Sequence, residues 1–368
     1  MKIGLLTYNL GQNYGGILQA YALMNVLKKL SHEPELLYIE TKYDRNWKSF
    51  IKSTVLSHFT SKYNFLVHED EIFKNMFSFI DNHIYPKTNK LTCYEDFKNV
   101  TKNNYEAYIV GSDQVWRADL YKYIDFAFFD FVKNDEPIFI SYAPSFGVDV
   151  WNYSDQDTIK FKNQIKRFSG VSVREESGVS LCKKHFDVDA IHVLDPTALL
   201  GKDVYQSLIS MDLNDRPDGE LLTYILDDNE DKRKLTDRVS SQLSYKNFKV
   251  GPKEKNSNKI KDMIYPPVTS WLQGFNDAKF VITDSFHGCV FSVIFNKPFI
   301  VYGNKKRGMA RFKSFLGKLG LENRLIEGFE FVTNELIEKD IDWVSVNEKL
   351  RNEQENSISY LKKHLNKV

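Results

Sequence analysis

A chain of 368 residues with 42% hydrophobic and 27% charged residues has the material for two well-filled domains and is not disordered in composition. Its formal net charge of +1 argues against a general nucleic-acid binder, and no run approaches the roughly 18 to 20 apolar residues of a membrane helix. Cys93, Cys182 and Cys289 are odd in number and far apart, a spacing that suggests neither zinc nor a disulfide framework, so the expectation is a cytoplasmic protein without a metal.

In chain order, Lys2 to Thr7 reads as a buried strand, and the polar Asn9, Gln12 and Asn13 interrupt it too soon for the apolar core of a signal peptide. The turn through Gly16 leads into an apolar helix from Ile17 to Leu30, then a strand from Glu35 to Ile39, which makes a βαβ start. Residues 43–100 are helical in pattern and are expected as an insertion over the first sheet. There Phe73, Met76, Phe77, Ile80 and Ile84 share one face after a cap at Asp70.

Strand signals return at Tyr108–Val110, Ile138–Tyr142, Val171–Val173 and Ile191–Leu194, with a helical stripe of Thr158, Phe161, Ile165 and Phe168 among them. The stretch Met211 to Gly219, rich in Asp, Asn, Pro and Gly, reads as a linker, and a second unit opens at Glu220–Ile225. A capping box at Ser345 and Glu348 precedes a charged helix with Leu350, Ile358, Leu361 and Leu365 on its apolar positions. The fold class expected is α/β: two Rossmann-like domains, 1–210 and 219–340, in a GT-B-like arrangement, with a C-terminal helix over 341–368 packing back on the first domain. The 20 tyrosines, 27 phenylalanines and five tryptophans suit sugar-facing surfaces, but a filled core accounts for more of them.

Chemistry concentrates where strands end. Phe280–Thr283 delivers the polar cluster Asp284, Ser285, Phe286, His287 and Gly288 to a helix amino terminus, where unpaired N–H groups favour anions. An imidazole there can donate to an anion or move a proton, Gly288 permits close approach, and the bland reading is a buried histidine closing a turn. The strand Phe299–Tyr302 is followed by Lys305, Lys306, Arg307 and Arg311, cations suited to a phosphate or carboxylate, and Arg174 ends the strand Val171–Val173. Gly11 to Gly16, with Asn13, Tyr14, Gly15 and Gly16, matches neither a P-loop nor a full dinucleotide fingerprint and reads as a tight strand-to-helix turn or as a helix amino terminus that meets substrate. Gly111 to Trp116 places Asp113, Gln114 and Trp116 where polar groups and an aromatic plane can hold a sugar, or where they cap the next helix.

The segments NYGGILQAYAL, GSDQVW, SYAPSFG, SVREESG, VLDPTALL and TDSFHGCVFSVIFNKPFI, in this order over residues 1 to about 320, resemble the polysaccharide pyruvyl transferase family. The resemblance implies transfer of the enolpyruvyl unit of phosphoenolpyruvate to two hydroxyls of a sugar in cell-surface polysaccharide synthesis, giving a pyruvate ketal and phosphate without a further cofactor. It implies a donor held mainly by the second domain, with Arg174 carried over as a donor ligand, and a sugar approaching from the first; the residue reading adds His287 as the catalytic group and Ser285, Gly288, Lys305, Arg307 and Arg311 to the donor site. The acceptor, a sugar or a lipid-linked oligosaccharide, would meet Asn13, Tyr14, Gly15, Gly16, Asp113, Gln114 and Trp116, and a lipid carrier would bring the protein to the membrane surface. Oligomeric state is not legible. The chain departs from many relatives at Ser285, where they carry arginine, so Arg307 or Arg311 is expected to supply the charge. Two other readings stay open: a nucleotide-sugar glycosyltransferase, with Asp284 as the acidic ribose partner, and a non-catalytic sugar-binding protein built around Trp116.

Overall fold

The structure, a computed structural model, describes residues 1–8, 10–39, 67–119, 124–212, 216–255, 257–303 and 308–366. The first half holds a parallel sheet of β1 (Lys2–Leu6), β2 (Glu33–Leu36), β3 (Ala107–Val110), β4 (Ile138–Ser141) and β5 (Phe168–Gly170) in the order β2-β1-β3-β4-β5. A short parallel pair, β6 (Ser172–Val173) and β7 (Ile191–His192), forms a separate two-stranded sheet. The second half repeats the plan with β8 (Leu221–Tyr224), β9 (Asn247–Phe248), β10 (Phe280–Thr283), β11 (Phe299–Tyr302) and β12 (Leu325–Ile326) in the order β9-β8-β10-β11-β12. Every residue of β3, β10 and β11 is buried, as central strands covered on both faces must be, which is why they read as unbroken apolar runs. In this strand order the chain reverses direction across β1 and β3, and again across β8 and β10, and the crevices at those carboxyl ends are where such sheets bind ligands.

Several local expectations shift. The stripe ending in Phe168 is two elements: a helix Asp155–Ile165 capped by Ser154, and then β5, which takes Phe168 into the sheet. The helix expected after Asp70 breaks at Phe73, giving Glu69–Ile72 and Lys74–His83, while Phe73, Met76, Ile80 and Ile84 are buried on one side. The C-terminal helix Trp343–Leu365 starts before the capping box; Asp342 is its cap and accepts the Ser345 N–H at 3.1 Å.

That last helix ties the halves together. Lys318 of the second half pairs with its Glu353, Ser357 Oγ accepts the Leu194 N–H at 3.0 Å, and Tyr360 Oη donates to the Ser141 carbonyl at the end of β4 at 2.9 Å. The helix Lys202–Ser210, placed with the first half by its sequence position, packs on the second: the Tyr205 and Phe291 rings lie 4.9 Å apart, and Gln206 donates to Asn276 at 2.9 Å. Tyr14 crosses the same boundary, stacking on Trp271 at 5.4 Å and donating to the Pro266 carbonyl at 2.8 Å. No helix among the described residues is long and apolar enough to cross a membrane.

Candidate active site

Two helix amino termini meet across the crevice. Asn13 caps the helix Tyr14–Lys29, its Oδ1 accepting the Gly15 N–H at 3.0 Å, and Ser285 caps the helix Phe286–Ile294, its Oγ accepting the Gly288 N–H at 3.3 Å. Thr283 Oγ1 accepts the Ser285 N–H at 3.0 Å, and a Cβ on residue 288 would fall 2.3 Å from that oxygen. Gly288 is therefore needed to seat the helix on β10. His287 points from the second half into the first, where a Cβ on residue 15 would lie 1.9 Å from its Nδ1. The imidazole rests on the bare Cα of Gly15 and is only 6% exposed.

Behind His287 lies a polar network of groups from distant segments. Gln19 Nε2 is 2.8 Å from His287 Nε2 and 2.5 Å from Asp195 Oδ2. Asp195 is fully buried: Oδ2 also accepts from Arg174 Nη1 at 2.8 Å and lies 3.6 Å from His287 Nε2, while Oδ1 accepts from the Thr197 N–H at 3.0 Å and its hydroxyl at 2.6 Å. Burial alone would raise this carboxyl, but His287, Arg174 and Thr197 outweigh it and hold Asp195 well below the usual carboxylate range. An ionised carboxylate only accepts, so Asp195 turns the amide nitrogen of Gln19 toward itself. The same amide nitrogen also faces His287 Nε2, so Gln19 bridges the imidazole and the carboxylate. Gln19 Oε1 is left buried with no hydrogen-bond partner among the described residues.

The cations line up beside this network. Arg174 is 2% exposed; its Nη2 is 3.6 Å from Asp113 Oδ1, and its Nε and Nη2 find no hydrogen-bond acceptor among the described residues. The Arg174 and Arg311 guanidinium carbons lie 5.1 Å and 5.6 Å from the Phe286 ring. Burial first, and then the like charge of Arg174, brings Arg311 down to about 10. Glu175 is pushed up by burial against the pull of Arg174 and Arg311, and its Oε1 shapes the neighbouring loop by accepting from Ser145 Oγ at 2.9 Å and the Phe146 N–H at 2.8 Å. Two buried guanidiniums beside a histidine suit a small ligand with two anionic groups.

The other sequence candidates separate. Asp113, at φ 72°, sits against both Arg174 and Gly16, whereas Gln114 is engaged by Arg117 at 3.0 Å. Trp116 is corrected: it is 0% exposed, stacked on Phe128 at 5.3 Å with its N–H on the Ala127 carbonyl at 3.3 Å, so it offers no face to a sugar. Asp284 cannot serve a ribose, because it accepts from the Leu226 N–H at 2.6 Å and the Asp227 N–H at 3.0 Å and pairs with Lys232 at 2.7 Å. Lys305 and Arg307 lie outside the described residues. Gln19 and Asp195 escaped the sequence reading, although Asp195 follows the apolar run Ile191–Leu194 just as Arg174 follows its own strand, and Gln19 is a lone polar residue among buried apolar ones.

Two parallel five-stranded sheets, a crevice lined by strand ends from both, and a returning C-terminal helix define an α/β protein of the GT-B-like kind. The chain is similar in fold to the UDP-GlcNAc 2-epimerase from Neisseria meningitidis bound to UDP-GlcNAc, with a TM-score of 0.54, 10% identity, and coverage of 99% of each chain. It is also similar to the S. aureus MnaA–UDP co-structure, with a TM-score of 0.53, 11% identity, and coverage of 100% of this chain and 97% of that one. A glycosyltransferase from Rickettsia africae gives a TM-score of 0.50 at 11% identity over 98% of this chain and 99% of that one. No curated protein matches by sequence. The family described as polysaccharide pyruvyl transferase matches residues 13–306, and the chain belongs to that family.

Proposed function

We propose that this protein transfers the enolpyruvyl unit of phosphoenolpyruvate to two hydroxyls of a sugar in cell-surface polysaccharide synthesis, closing a pyruvate ketal and releasing phosphate. The observation that carries this reading is Arg174: a guanidinium buried beside His287 and Arg311, with Nε and Nη2 free of hydrogen-bond acceptors among the described residues. Buried donors of this kind are costly unless an anion meets them, and phosphoenolpyruvate brings a phosphate and a carboxylate.

In the proposed sequence, Arg174 and Arg311 hold those two groups. A proton added to the methylene carbon makes C2 electrophilic, and a sugar hydroxyl bonds to C2 as it gives up its proton. The C2–O bond to phosphate breaks, and the second hydroxyl, also losing its proton, closes the ketal. His287 donates to the phosphate or moves one of these protons, a task suited to an imidazole held by Gln19 and Asp195. Asp195 positions and does not touch substrate in this scheme. If the acceptor is lipid-linked, the protein works at the membrane surface.

The test is incubation of purified protein with phosphoenolpyruvate and a panel of acceptors, following phosphate release and the mass gained by the sugar. Both signals should appear together and require His287. Release of a nucleoside diphosphate from a nucleotide sugar, with phosphoenolpyruvate untouched, would refute the proposal in favour of a glycosyltransferase.

A further inference from the structure

A second feature of the crevice is a cleft of about 310 Å³ at the carboxyl ends of β8 and β9, at the small end of ligand-pocket volumes of roughly 300–1,000 Å³. Half-buried Tyr224, Leu226, Val250 and Tyr265 make its floor, an aromatic and apolar surface that suits one face of a pyranose ring. Charged side chains share the lining. Arg233 there is committed to Asp228 at 2.9 and 2.7 Å, and Lys232 to Asp284 at 2.7 Å. Exposed Lys249 and Lys255 make no ion pair among the described residues, although Lys255 Nζ donates to the Leu226 carbonyl at 3.2 Å. With Lys232 offset by Asp284 and Arg233 by Asp228, the lining keeps Lys249 and Lys255 against Asp237, a balance that favours an anion.

The cleft is joined to the candidate active site from two directions. Tyr14 forms one wall, and the next residue, Gly15, carries the His287 imidazole on its Cα. On the other side the Leu226 N–H is bonded to Asp284, in the same short loop that presents His287. In the first half, by contrast, Trp116 is sealed in the core and Gln114 is held by Arg117.

We infer that this cleft is the acceptor site and that it takes a sugar carried on a phosphate or diphosphate, the ring on the tyrosine floor and the phosphate at Lys249 and Lys255. The inference rests on the pyruvyl-transfer reading for what happens to that sugar, and its binding half stands apart from it. Acceptor and donor then occupy separate pockets on the two sides of His287, with the acceptor held largely by the second half.

Isothermal titration calorimetry tests it without turnover. The probes are the 1-phosphates of glucose, galactose, mannose and N-acetylglucosamine, the four free sugars, and phosphoenolpyruvate as a separate arm. At least one sugar phosphate should bind, at least tenfold more tightly than its free sugar. Lys249→Glu with Lys255→Glu, both at exposed positions, should weaken that binding tenfold or more and leave phosphoenolpyruvate binding unchanged. The matching UDP-sugar and geranyl-diphosphate sugar distinguish the carriers, and the one that binds more tightly and keeps the lysine dependence identifies the source. Binding by none of the sugar phosphates, equal binding of free sugar, or indifference to the double substitution would overturn the inference. Lysine-dependent sugar-phosphate binding with phosphoenolpyruvate neither bound nor consumed would sink the pyruvyl-transfer reading alone.

Discussion

Gly15→Ala is the sharpest test of how the two halves meet. The added Cβ would lie 1.9 Å from His287 Nδ1, 2.3 Å from Cγ and 2.5 Å from Cε1, where ordinary contact begins at 3.4 Å. The imidazole or the helix beneath it must therefore yield by about 1.5 Å, the difference between 3.4 and 1.9 Å. His287 is buried and tied to Gln19, so the ring cannot swing aside without losing that contact. A displacement of about 1 Å in a reacting constellation can cost ~10²-fold, and the expected loss in kcat is at least of that order. Overpacking should cost about 1–3 kcal/mol, which a domain stable by ~5–15 kcal/mol survives. The assay is phosphoenolpyruvate-dependent phosphate release, run beside urea denaturation. Gly16→Ala is the stability control, because its nearest contact is an ordinary 3.4 Å and alanine is preferred to glycine inside a helix. Wild-type turnover by Gly15→Ala would refute the proposed contact between His287 and the first helix.

Asp195→Asn should cost about 3–5 kcal/mol in urea denaturation at pH 7, because it removes the hydrogen-bonded carboxylate of the buried Arg174 guanidinium and leaves only the more distant Asp113; a loss under ~1 kcal/mol would count against the network. Since folding lowers the Asp195 carboxyl below its unfolded value of about 3.9, its stabilisation is complete above that pH and fades as pH falls toward the folded value, so wild type and variant should converge only in acid. Arg174→Lys keeps a charge near Asp195 but loses the guanidinium fork, so KM for phosphoenolpyruvate should rise at least tenfold in a folded protein, and an unchanged KM would remove Arg174 from the donor site. His287→Ala should abolish ketal formation with the near-UV circular dichroism retained, and residual full turnover would dismiss the assigned role. Trp116→Ala should destabilise by about 3–5 kcal/mol and leave the acceptor KM as it was, whereas a selective rise in that KM would restore the sugar-platform reading.

Much of this was legible along the chain. Phe280–Thr283 and Phe299–Tyr302 read as central strands because a strand covered on both faces has no reason to alternate, and the polar residues after each must then sit at a carboxyl edge. That reasoning reached His287, Arg174 and Arg311, and the capping chemistry of Asn13 and Ser285 follows from residue type and position. It could not reach Gln19, which looks like a blemish in an apolar helix until Asp195 is beside it. It also misjudged Trp116, since a polar loop gives no local sign of which side chain turns back into the core.

The sequence by itself determined the alternation of strands and helices, the class of fold, and which polar residues leave the sheets at the ligand-binding edge, because those depend on interactions within a few residues. Only the tertiary structure decided that residues 15, 19, 174, 195 and 287 converge, since contacts among segments so far apart leave no periodic trace in any one of them. The charge state of Asp195 was decided there as well, because it depends on which groups stand within hydrogen-bond reach.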